Sequence, residues 1–483
     1  MTGDSTCDLL IHGGDVIDGT EAPRGKADVA LRDGRIVAVG DLADWTATRR
    51  LDASGHVVAP GFIDVHTHDD RLLLSSPDMT PKASQGVTTV VTGNCGVSLA
   101  PMTFAGDPPP PLNLLGDRSW YRFATLADYF AALEDSPPAI NYAQLVGHAS
   151  LRVSCMSDLD RPATAAELDA MQVKLDAALA AGAIGLSTGL AYKPAIASST
   201  DEVAELAGRL ADHGGLYTTH MRDEGDQIIE AMDEAFTIGR RGAVPAVISH
   251  FKCCGKKNWG RAQETVAHLK AAQGQQKVDA DAYPYVASST VLENSSVHQS
   301  VRVTVTWSTP HPEMNGRDLH EIAAEWGLDL DAAADRLQPA GAVYYQMDEA
   351  DLIHILKEGG AMIGSDGLPH DAHPHPRLWG TFPRVLGYFC RQLGIFSLET
   401  AVHRMTGLPA AVFGFADRGV IREGAVADLV IFDPETVIDR ATFEDPKQAA
   451  AGIEQVLVAG QAVWMAGQET GARPGRRVKR HTV

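Results

Sequence analysis

Eight apolar, β-branched runs, each followed by a stretch of helical pattern, constrain the fold of this chain more than any other feature. The runs lie between Gly61 and about Leu408 and cover residues 62–66, 88–92, 142–147, 183–187, 216–220, 246–250, 278–283 and 361–366. Continuous apolar runs that are separated by helices are typical of a buried parallel sheet. Eight strand–helix units predict a (β/α)₈ barrel of the TIM type.

The starts of two predicted helices can be identified. Thr164 is followed three residues later by Glu167, which predicts a capping box. Ser199 and Glu202 repeat the pattern. The first helix then carries apolar residues at helical spacing, namely Leu168, Met171, Leu175 and Leu179.

Short β-type runs broken by Gly and Asp stand at both ends of the chain. They cover residues 8–11, 27–31 and 36–39 near the start, and 428–432, 456–458 and 462–465 near the end. Strands at both ends with barrel-like sequence between them predict one small discontinuous β domain. We therefore predict an α/β protein in which residues 1–60 and 411–470 form the β domain and residues 61–410 form the catalytic barrel.

The stretch from Pro284 to about Met347 breaks the strand–helix rhythm. It is too long for a simple crossover, so residues 284–347 are predicted to be an insertion after the seventh barrel strand. We expect this insertion to cover the barrel mouth as a lid, and an excursion that never touches substrate is the alternative.

Charge and composition narrow the range of partners and locations. The formal net charge of −21 and the pI of about 5.2 argue against nucleic acid and anionic membranes as partners, but not against a small anionic substrate. The basic tail, residues 471–483, is expected to be a solvated, partly mobile terminus, with a nucleic-acid or membrane role as the alternative. We recognise no signal peptide and no membrane span, and expect the six scattered cysteines to be reduced. These features favour a cytoplasmic protein.

Metal-binding side chains stand where the barrel strands are predicted to end. His66 and His68 are two residues apart on the first strand, so their imidazoles point to the same side. Further candidates follow the second, fifth, sixth and eighth strands, namely Cys95, His220, His250 and Asp366. Because the strand ends converge on one face of a barrel, the sequence predicts a shared metal site rather than a set of structural histidines.

The types of these ligands indicate both the metal and its use. A mixture of Cys, His and Asp suits Zn²⁺ better than Mg²⁺, which prefers oxygen ligands. Zinc can lower the pKa of a bound water molecule and polarise the carbonyl of an amide. Asp366 is the candidate acid and base that takes the proton of the water and passes it to the leaving nitrogen.

The order of these residues along the chain resembles that of the amidohydrolase superfamily. Finer motifs are similar to those of the D-aminoacylases, the N-acyl-D-amino-acid deacylases. They are GNCGVS at 93–98, GLSTGL at 185–190, NWGR at 258–261, SDGLP at 365–369 and HPRLWG at 375–380. The similarity covers essentially the whole chain. It implies zinc-dependent hydrolysis of N-acyl-D-amino acids to a carboxylate and a free D-amino acid, and the D preference rests on this resemblance alone.

One departure from many amidohydrolases concerns the ligand that bridges two metals. A carboxylated lysine often follows the fourth strand, but residues 187–189 here read Ser-Thr-Gly, and Lys193 is a weaker candidate. The resemblance implies that a thiolate replaces the lysine and that one zinc is held tightly by Cys95, His220 and His250. It also implies a second, weaker metal position lined by His66, His68 and Asp366.

The α-carboxylate of such a substrate needs cationic or hydroxyl donors. The resemblance supports four of them, namely Lys252, Tyr283, Ser289 and Arg377. A structural ion pair is the alternative for Lys252 and for Arg377. Tyr192 and His148 are further candidates at the same mouth, and a packing or supporting role is an equal alternative for both.

The insertion is expected to set the side-chain preference. Tyr344 and Met347 suggest an apolar, adaptable wall, since Met conforms to varied shapes, and packing against the barrel is the alternative. Arg302 is the one strong cation between residues 291 and 303, and we do not expect it to enter the pocket. Neutral or hydrophobic D-amino acids are therefore expected to be favoured.

Three other functions are alternatives at this point. They are a deacylase of N-acyl-D-glutamate or N-acyl-D-aspartate, a cyclic amidase similar to hydantoinases or dihydroorotases, and a non-catalytic scaffold. Cyclic amidases usually carry the bridging lysine, and a scaffold needs neither a complete ligand set nor Asp366. Cys253 and Cys254 lack the CxxC spacing of a redox site, so we expect them to pack. The sequence does not indicate an oligomeric state.

Overall fold

Eight parallel strands form the barrel that the sequence predicts. The computed structural model describes residues 5–104 and 106–481 of the chain. The barrel strands, each hydrogen-bonded to the next in chain order, are Phe62–Asp64, Val87–Thr92, Asn141–Gly147, Gly185–Gly189, Leu216–His220, Ala246–Ile248, Val278–Ala282 and Met362–Ile363. The first and last strands meet where Thr67 pairs with Gly367 and where the amide of Asp366 donates to the carbonyl of His66 at 2.8 Å. The predicted (β/α)₈ barrel is therefore confirmed.

The inside of the barrel contains an apolar layer. It is a buried cluster whose members include Ile63, Val91, Leu145, Leu216 and Val247. Val478 belongs to the same cluster, and its amide donates to the carbonyl of Tyr142 at the amino end of the third strand. The carboxyl ends of the strands carry buried polar side chains instead, and this is the face on which barrel enzymes build their sites.

Helices follow the barrel strands along the chain. In chain order they are Leu72–Ser75, Thr80–Ala83, Leu126–Asp135, His148–Cys155, Ala165–Ala181, Lys193–Ile196, Thr200–Gly208, Ile228–Gly242, Ala262–Gln273, Glu349–Glu358, Arg377–Arg384, Val385–Gln392, Leu398–Met405 and Gly407–Phe413. Shorter turns of helix lie at Leu112–Leu114, Ala211–His213 and Lys256–Asn258, and Met102–Thr103 pairs with Arg122–Phe123 in the loop after the second strand. Within the described ranges, none of the helices combines the length and the hydrophobicity that crossing a membrane would require.

The two predicted helix starts differ in how their acidic residues are used. Thr164 accepts from the amide of Glu167 and the Glu167 side chain returns to the amide of Thr164, so this capping box is confirmed. Ser199 also caps its helix by accepting from the amide of Glu202 at 3.1 Å. The Glu202 carboxylate does not return to Ser199, because it is held by a buried ion pair elsewhere, so a second complete capping box is wrong.

Glu202 joins two parts of the barrel wall through buried charges. Its carboxylate lies 3.1 Å from Nε2 of His148, pairs with Arg152, and accepts from the amide of Ala163 at 2.9 Å. Burial alone would raise the pKa of Glu202, but His148 and Arg152 outweigh it and lower the pKa to about 2. The ionised carboxylate therefore stabilises the folded state.

Glu202→Gln is expected to destabilise the protein in a pH-dependent way. The loss at pH 7 should be about 3–5 kcal/mol, because it leaves Arg152 buried without its charge partner. Since the folded pKa lies below the ordinary value near 4.3, the wild-type advantage is complete above about pH 4.5 and shrinks as the pH falls toward 2. Denaturant unfolding at pH 7 and at pH 3 tests this, with the exposed Glu205→Gln on the same helix as the control. An equal difference at both pH values would contradict it.

Both ends of the chain contribute to one β region made of two sheets. The first sheet has the order Arg35–Gly40, Asp28–Arg32, Thr6–His12, Thr46–Asp52. The second has the order Gln468–Glu469, Gln461–Met465, Ile453–Val458, Leu429–Phe432, Val57–Pro60, Asp15–Val16, Gly25–Lys26. Leu9 and Val29 of the first sheet share a buried cluster with Val58, Leu429 and Leu457 of the second. The strands near the two termini therefore pack together, as their sequence pattern indicates.

The segment between the seventh and eighth barrel strands forms a small unit with its own core. Its antiparallel sheet consists of Ala287–Val291, Ala340–Tyr345 in the middle, and Arg302–Ser308. Its helices are Asn294–Gln299, Pro312–Met314, Leu319–Trp326 and Leu330–Leu337. Residues of the sheet and of the helix Asn294–Gln299 line the cavity at the barrel mouth, so the insertion is not remote from the site.

The C-terminal tail is ordered against the barrel over its described part, so the expectation of a solvated, mobile terminus is wrong there. Arg477 donates to the carbonyl of Ala181 at 2.7 Å and lies over the ring of Phe130. Arg480 donates to two backbone carbonyls, and Val478 is buried. The arginines of the tail thus serve as donors to the ends of neighbouring elements, which the count of basic residues does not reveal. Residues 482 and 483 lie outside the described residues.

Candidate metal centre

The six predicted metal ligands converge at the carboxyl ends of the barrel strands. His66 and His68 follow the first strand and His220 is the last residue of the fifth. Cys95, His250 and Asp366 lie two or three residues past their strands and adopt positive φ angles of 52°, 38° and 51°. This backbone conformation is uncommon for residues other than glycine and costs on the order of 1–3 kcal/mol at each position.

Neighbouring groups hold these three turns in place. The amide of Asp366 donates to the carbonyl of His66, and the amide of His250 donates to Oδ1 of Asp281 at 2.8 Å. Gly96, next to Cys95, donates its amide to Oγ of Ser187 at 3.0 Å. The strained turns aim three side chains inward, and such strain is concentrated at functional sites in proteins.

The ligand atoms form two groups that share one thiol. His66, His68, Cys95 and Asp366 make up the first, and Cys95, His220 and His250 make up the second, with all ligand atoms of a group within 4.8 Å of one another. The Cys95 Sγ atom lies 3.2 Å from Nε2 of His66 and 3.4 Å from Nε2 of His250. Cys95 is therefore the residue through which two adjacent metal positions would be joined.

The donor set fits zinc. Thiolate and imidazole are the ligands that zinc favours, and all members are buried except His220, which is partly exposed. The Nδ1 atom of His220 is buried without a hydrogen-bond partner in the described part of the chain, as expected for a donor that is meant for a metal. Lys193, the weaker candidate for a bridging ligand, is exposed at the start of a short helix and belongs to neither group.

Electrostatics favour the anionic forms of the two central acids. Burial would raise the pKa of Cys95, but the rings of His66 and His250 lower it well below its ordinary value. Burial would likewise raise the pKa of Asp366, and Arg377 together with His66 lowers it well below its ordinary value. A thiolate and a carboxylate, the forms that bind metal, are therefore preferred at this site.

Two carboxylates that the sequence reasoning missed support the histidines from behind. Glu224 lies 2.9 Å from Nδ1 of His250 through Oε1 and 3.9 Å from Nε2 of His220 through Oε2. Asp281 lies 3.3 Å from Nδ1 of His66. A carboxylate on the outer nitrogen orients the ring and fixes its tautomer, so that the inner nitrogen faces the metal. Asp281 could have been found from the sequence, because it is an acidic residue within a predicted barrel strand. Glu224 lies in a loop with no distinctive sequence pattern.

Glu224→Gln is expected to weaken metal binding by about 10- to 100-fold, because an amide orients His250 and pairs with Lys252 less well than a carboxylate does. Titration of the metal-free protein with zinc against a competing chelator measures the affinity. The exposed Glu230→Gln, on the helix that follows, is the matched control. Zinc affinity equal to that of the wild type in a correctly folded Glu224→Gln protein would show that Glu224 does not act on the metal site.

A cavity of about 240 Å³ opens directly onto the ligands. Its wall includes five of the six candidate ligands, together with three of the predicted substrate residues, namely Lys252, Ser289 and Tyr344. Lys252 donates to Oε1 of Glu224 at 2.6 Å, and the hydroxyl of Ser289 donates to the carbonyl of Ala342 at 3.2 Å. Tyr192 also lines the cavity; its ring lies 4.8 Å from that of His220 and its hydroxyl 3.0 Å from that of Thr290.

Arg377 and Tyr283 lie beside the cavity rather than on its surface. The Nη2 atom of Arg377 is 3.0 Å from Oδ2 of Asp366 and donates to the carbonyl of Ser289 at 3.1 Å. Its guanidinium lies 4.6 Å from the centre of the Tyr283 ring. The Tyr283 hydroxyl and two further nitrogens of Arg377 are buried with no hydrogen-bond partner in the described residues. The structural ion pair that was the alternative for Arg377 is thus present.

Two of the predicted side chains, Met347 and His148, do not line the main cavity. Met347 packs with Tyr283 and Tyr285 in a separate small cluster and does not line the main cavity, so its place in the apolar wall is wrong. The sequence could not place it because the strand Ala340–Tyr345 ends before it and the chain turns back toward the barrel. His148 also lies outside the cavity, where it pairs with Glu202.

The apolar wall of the cavity comes from other loops. Its apolar residues include Val97, Pro111, Leu114 and Leu368, which follow the second and eighth strands. Tyr344 lines the cavity but is otherwise buried in the core of the insertion, and its hydroxyl donates to the carbonyl of Val291 at 2.8 Å. Arg302 pairs with Asp318 and lies over the ring of Tyr345, which confirms the prediction that it stays out of the pocket.

Comparison with known proteins finds similarity over most of the chain. The model of the amidohydrolase family matches residues 49–280 and 312–464. A D-aminoacylase of Alcaligenes xylosoxydans xylosoxydans is 55% identical over 473 residues, which cover 98% of each chain. A solved structure of a D-aminoacylase has 56% identity and a TM-score of 0.96, with 98% of this chain and 100% of that chain covered. An N-acyl-D-glutamate deacylase of Bordetella bronchiseptica, solved with zinc and a phosphonate inhibitor, has 49% identity, a TM-score of 0.94 and the same coverage.

Proposed function

The chain belongs to the amidohydrolase family, and from this we propose that it is a zinc-dependent hydrolase of N-acyl-D-amino acids with neutral side chains. The observation that carries the proposal is the pair of ligand groups that share Cys95 at the base of one cavity. The 55% identity to a D-aminoacylase supports the class of substrate. The zinc in the similar N-acyl-D-glutamate deacylase supports the choice of metal.

We propose that the tighter zinc is held by Cys95, His220 and His250, and that His66, His68 and Asp366 form a weaker second position. The burial of the thiol and the orphaned nitrogen of His220 support the first assignment. When bound, the metal lowers the pKa of a water molecule to around 7 and polarises the amide carbonyl.

Asp366 is proposed to carry the proton during hydrolysis. It takes a proton from the attacking water as the oxygen of that water forms the new C–O bond, and it gives the proton to the nitrogen as the C–N bond breaks, leaving a carboxylate and a free amino acid. Its Oδ1 atom lies 3.1 Å from Nε2 of His68, and Arg377 holds Oδ2 at 3.0 Å. These contacts orient the carboxylate toward the cavity and keep it ionised before it accepts the proton.

Lys252 and Ser289 are the proposed contacts for the α-carboxylate, because both line the cavity. Arg377 and Tyr283, buried immediately behind, would extend that cationic and hydroxyl surface. The Nζ atom of Lys252 lies 2.8 Å from Nδ1 of His250, so a carboxylate that it binds is placed next to the metal ligands. Tyr192 would line the cavity beside His220.

Neutral side chains are proposed on the strength of the apolar wall formed by loop residues after the second and eighth strands. A deacylase of acidic D-amino acids is the second candidate, favoured by the 49% identity to N-acyl-D-glutamate deacylase. It would need a cation facing the side chain, and Arg302 is occupied by Asp318 outside the cavity. We also propose a cytoplasmic location, which the six free cysteines support.

The proposal is tested by measuring the release of free amine from N-acetyl-D-methionine and N-acetyl-L-methionine, each with and without a chelator. We expect release from the D form alone and its loss when metal is removed. N-acetyl-D-glutamate hydrolysed in preference to the methionine derivative would favour the second candidate. Hydrolysis of neither N-acyl compound would overturn the proposed activity.

A further inference from the structure

An acidic side chain stands in the wall that the insertion contributes to the cavity. Glu293, an exposed residue, lies between the strand Ala287–Val291 and the helix Asn294–Gln299 and lines the cavity. Its amide donates to the hydroxyl of Tyr344 at 2.8 Å. This backbone bond fixes the position of Glu293 without using its carboxylate.

Contacts along this wall connect Glu293 to the metal ligands. Thr290, three residues earlier, meets the hydroxyl of Tyr192 at 3.0 Å, and the Tyr192 ring lies 4.8 Å from that of His220. Thr290, Tyr192 and His220 all line the same cavity as Glu293. A substrate held at His220 therefore occupies the same cavity as Glu293.

The two cations that line the cavity, Arg222 and Lys252, each have a carboxylate partner in the protein, and neither is offered to the side chain of the substrate. Arg222 lines it but binds Glu234 at 2.9 Å through both Nε and Nη2. Lys252 is paired with Glu224 and sits among the metal ligands. Glu293 makes no ion pair with any residue in the ranges 5–104 and 106–481. Asp223 also lines the cavity and adds negative charge to it. Its Oδ1 atom accepts hydrogen bonds from the amides of Gly225 and Gln227.

We propose that Glu293 selects the side chain of the substrate by charge, admitting N-acyl-D-amino acids with a cationic side chain, such as D-lysine, and opposing those with a side-chain carboxylate. The inference rests on the proposed hydrolysis of N-acyl-D-amino acids and adds a substrate class to it. A long cationic side chain extends from the metal site toward the opening and brings its ammonium to the unpaired carboxylate. A side-chain carboxylate would meet the same group with like charge and no cation to offset it.

The experiment compares kcat/KM for three substrates in the wild type and in two variants. The substrates are Nα-acetyl-D-lysine, N-acetyl-D-norleucine, which is neutral and similar in length, and N-acetyl-D-glutamate. We expect Glu293→Gln to lower the ratio of kcat/KM for Nα-acetyl-D-lysine to that for N-acetyl-D-norleucine by about two- to fivefold. This is the effect expected for the loss of a partly exposed charge pair. Glu293→Lys should raise the glutamate-to-norleucine ratio, by roughly tenfold, because repulsion becomes attraction. Glu321→Gln, an exposed acid elsewhere in the insertion, is the control and should leave both ratios unchanged.

A second measurement does not depend on any variant. Raising the salt from about 0.01 to 1 M shortens the screening length from about 30 to 3 Å, so the wild-type lysine-to-norleucine ratio should fall. If the protein hydrolyses N-acetyl-D-norleucine but neither the variants nor salt change the ratios of kcat/KM, the role of Glu293 is overturned. The proposed function would still stand. Hydrolysis of none of the three substrates would overturn the proposed function, and this inference with it.

Discussion

Asp366→Asn is expected to lower kcat for N-acetyl-D-methionine by about 10²- to 10⁴-fold while tightly bound zinc is retained. An asparagine occupies the same volume beside His68 and Arg377, but its amide cannot accept and return a proton. The tight zinc position uses Cys95, His220 and His250, none of which is changed. The loss should therefore appear in turnover, with the metal content near that of the wild type.

The measurement combines steady-state kinetics with metal analysis on the same dialysed samples. Asp212→Asn, an exposed aspartate in the helical turn Ala211–His213 before the fifth strand, is the matched control and should behave as the wild type. Turnover within a few-fold of the wild type in Asp366→Asn would rule out Asp366 as the proton carrier. A fall that merely follows lost zinc would assign Asp366 to metal binding instead.

Cys95→Ala is expected to remove the tight zinc, and most of the activity should go with it. Cys95 belongs to both ligand groups, and its Sγ atom lies within 3.4 Å of a nitrogen of His66 and of His250. Alanine leaves two imidazoles, His220 and His250, where a structural or catalytic zinc normally has at least three protein ligands. Zinc after dialysis should fall from about one per chain toward zero.

Metal analysis after dialysis measures this loss, and Cys155→Ala is the control because that thiol is free and outside both ligand groups. Zinc in Cys95→Ala at the wild-type level after dialysis would contradict the assignment of the tight site. Circular dichroism of both variants distinguishes lost metal from a lost fold.

The barrel could be predicted from the sequence because each strand repeats the same buried, β-branched pattern. The predicted ends of the strands were less accurate where the chain bends to form the site. The sixth run extends to His250 in sequence, but the strand ends at Ile248, and the eighth strand covers Met362–Ile363 alone. In both cases a left-handed residue, His250 or Asp366, turns the backbone toward the cavity. Hydrophobic periodicity carries no information about such turns.

The candidate ligands could also be predicted, since each of them stands at or just past a strand end. The groups around them could not. Glu224 comes from a loop, and its position behind His250 follows from tertiary packing. Met347 is of a residue type that suits a binding pocket, yet it packs on Tyr283 and Tyr285. Loop conformation decides both outcomes, and a single sequence does not specify it.

The account depends most on the claim that metal held at Cys95 supports the hydrolysis of N-acyl-D-amino acids. Titration of zinc into protein stripped by a chelator, with release of free D-methionine from N-acetyl-D-methionine as the readout, tests that claim most directly. We predict negligible release from the stripped protein and recovery of activity as about one zinc per chain is bound. Undiminished release from metal-free protein, or no release at any zinc concentration, would contradict it.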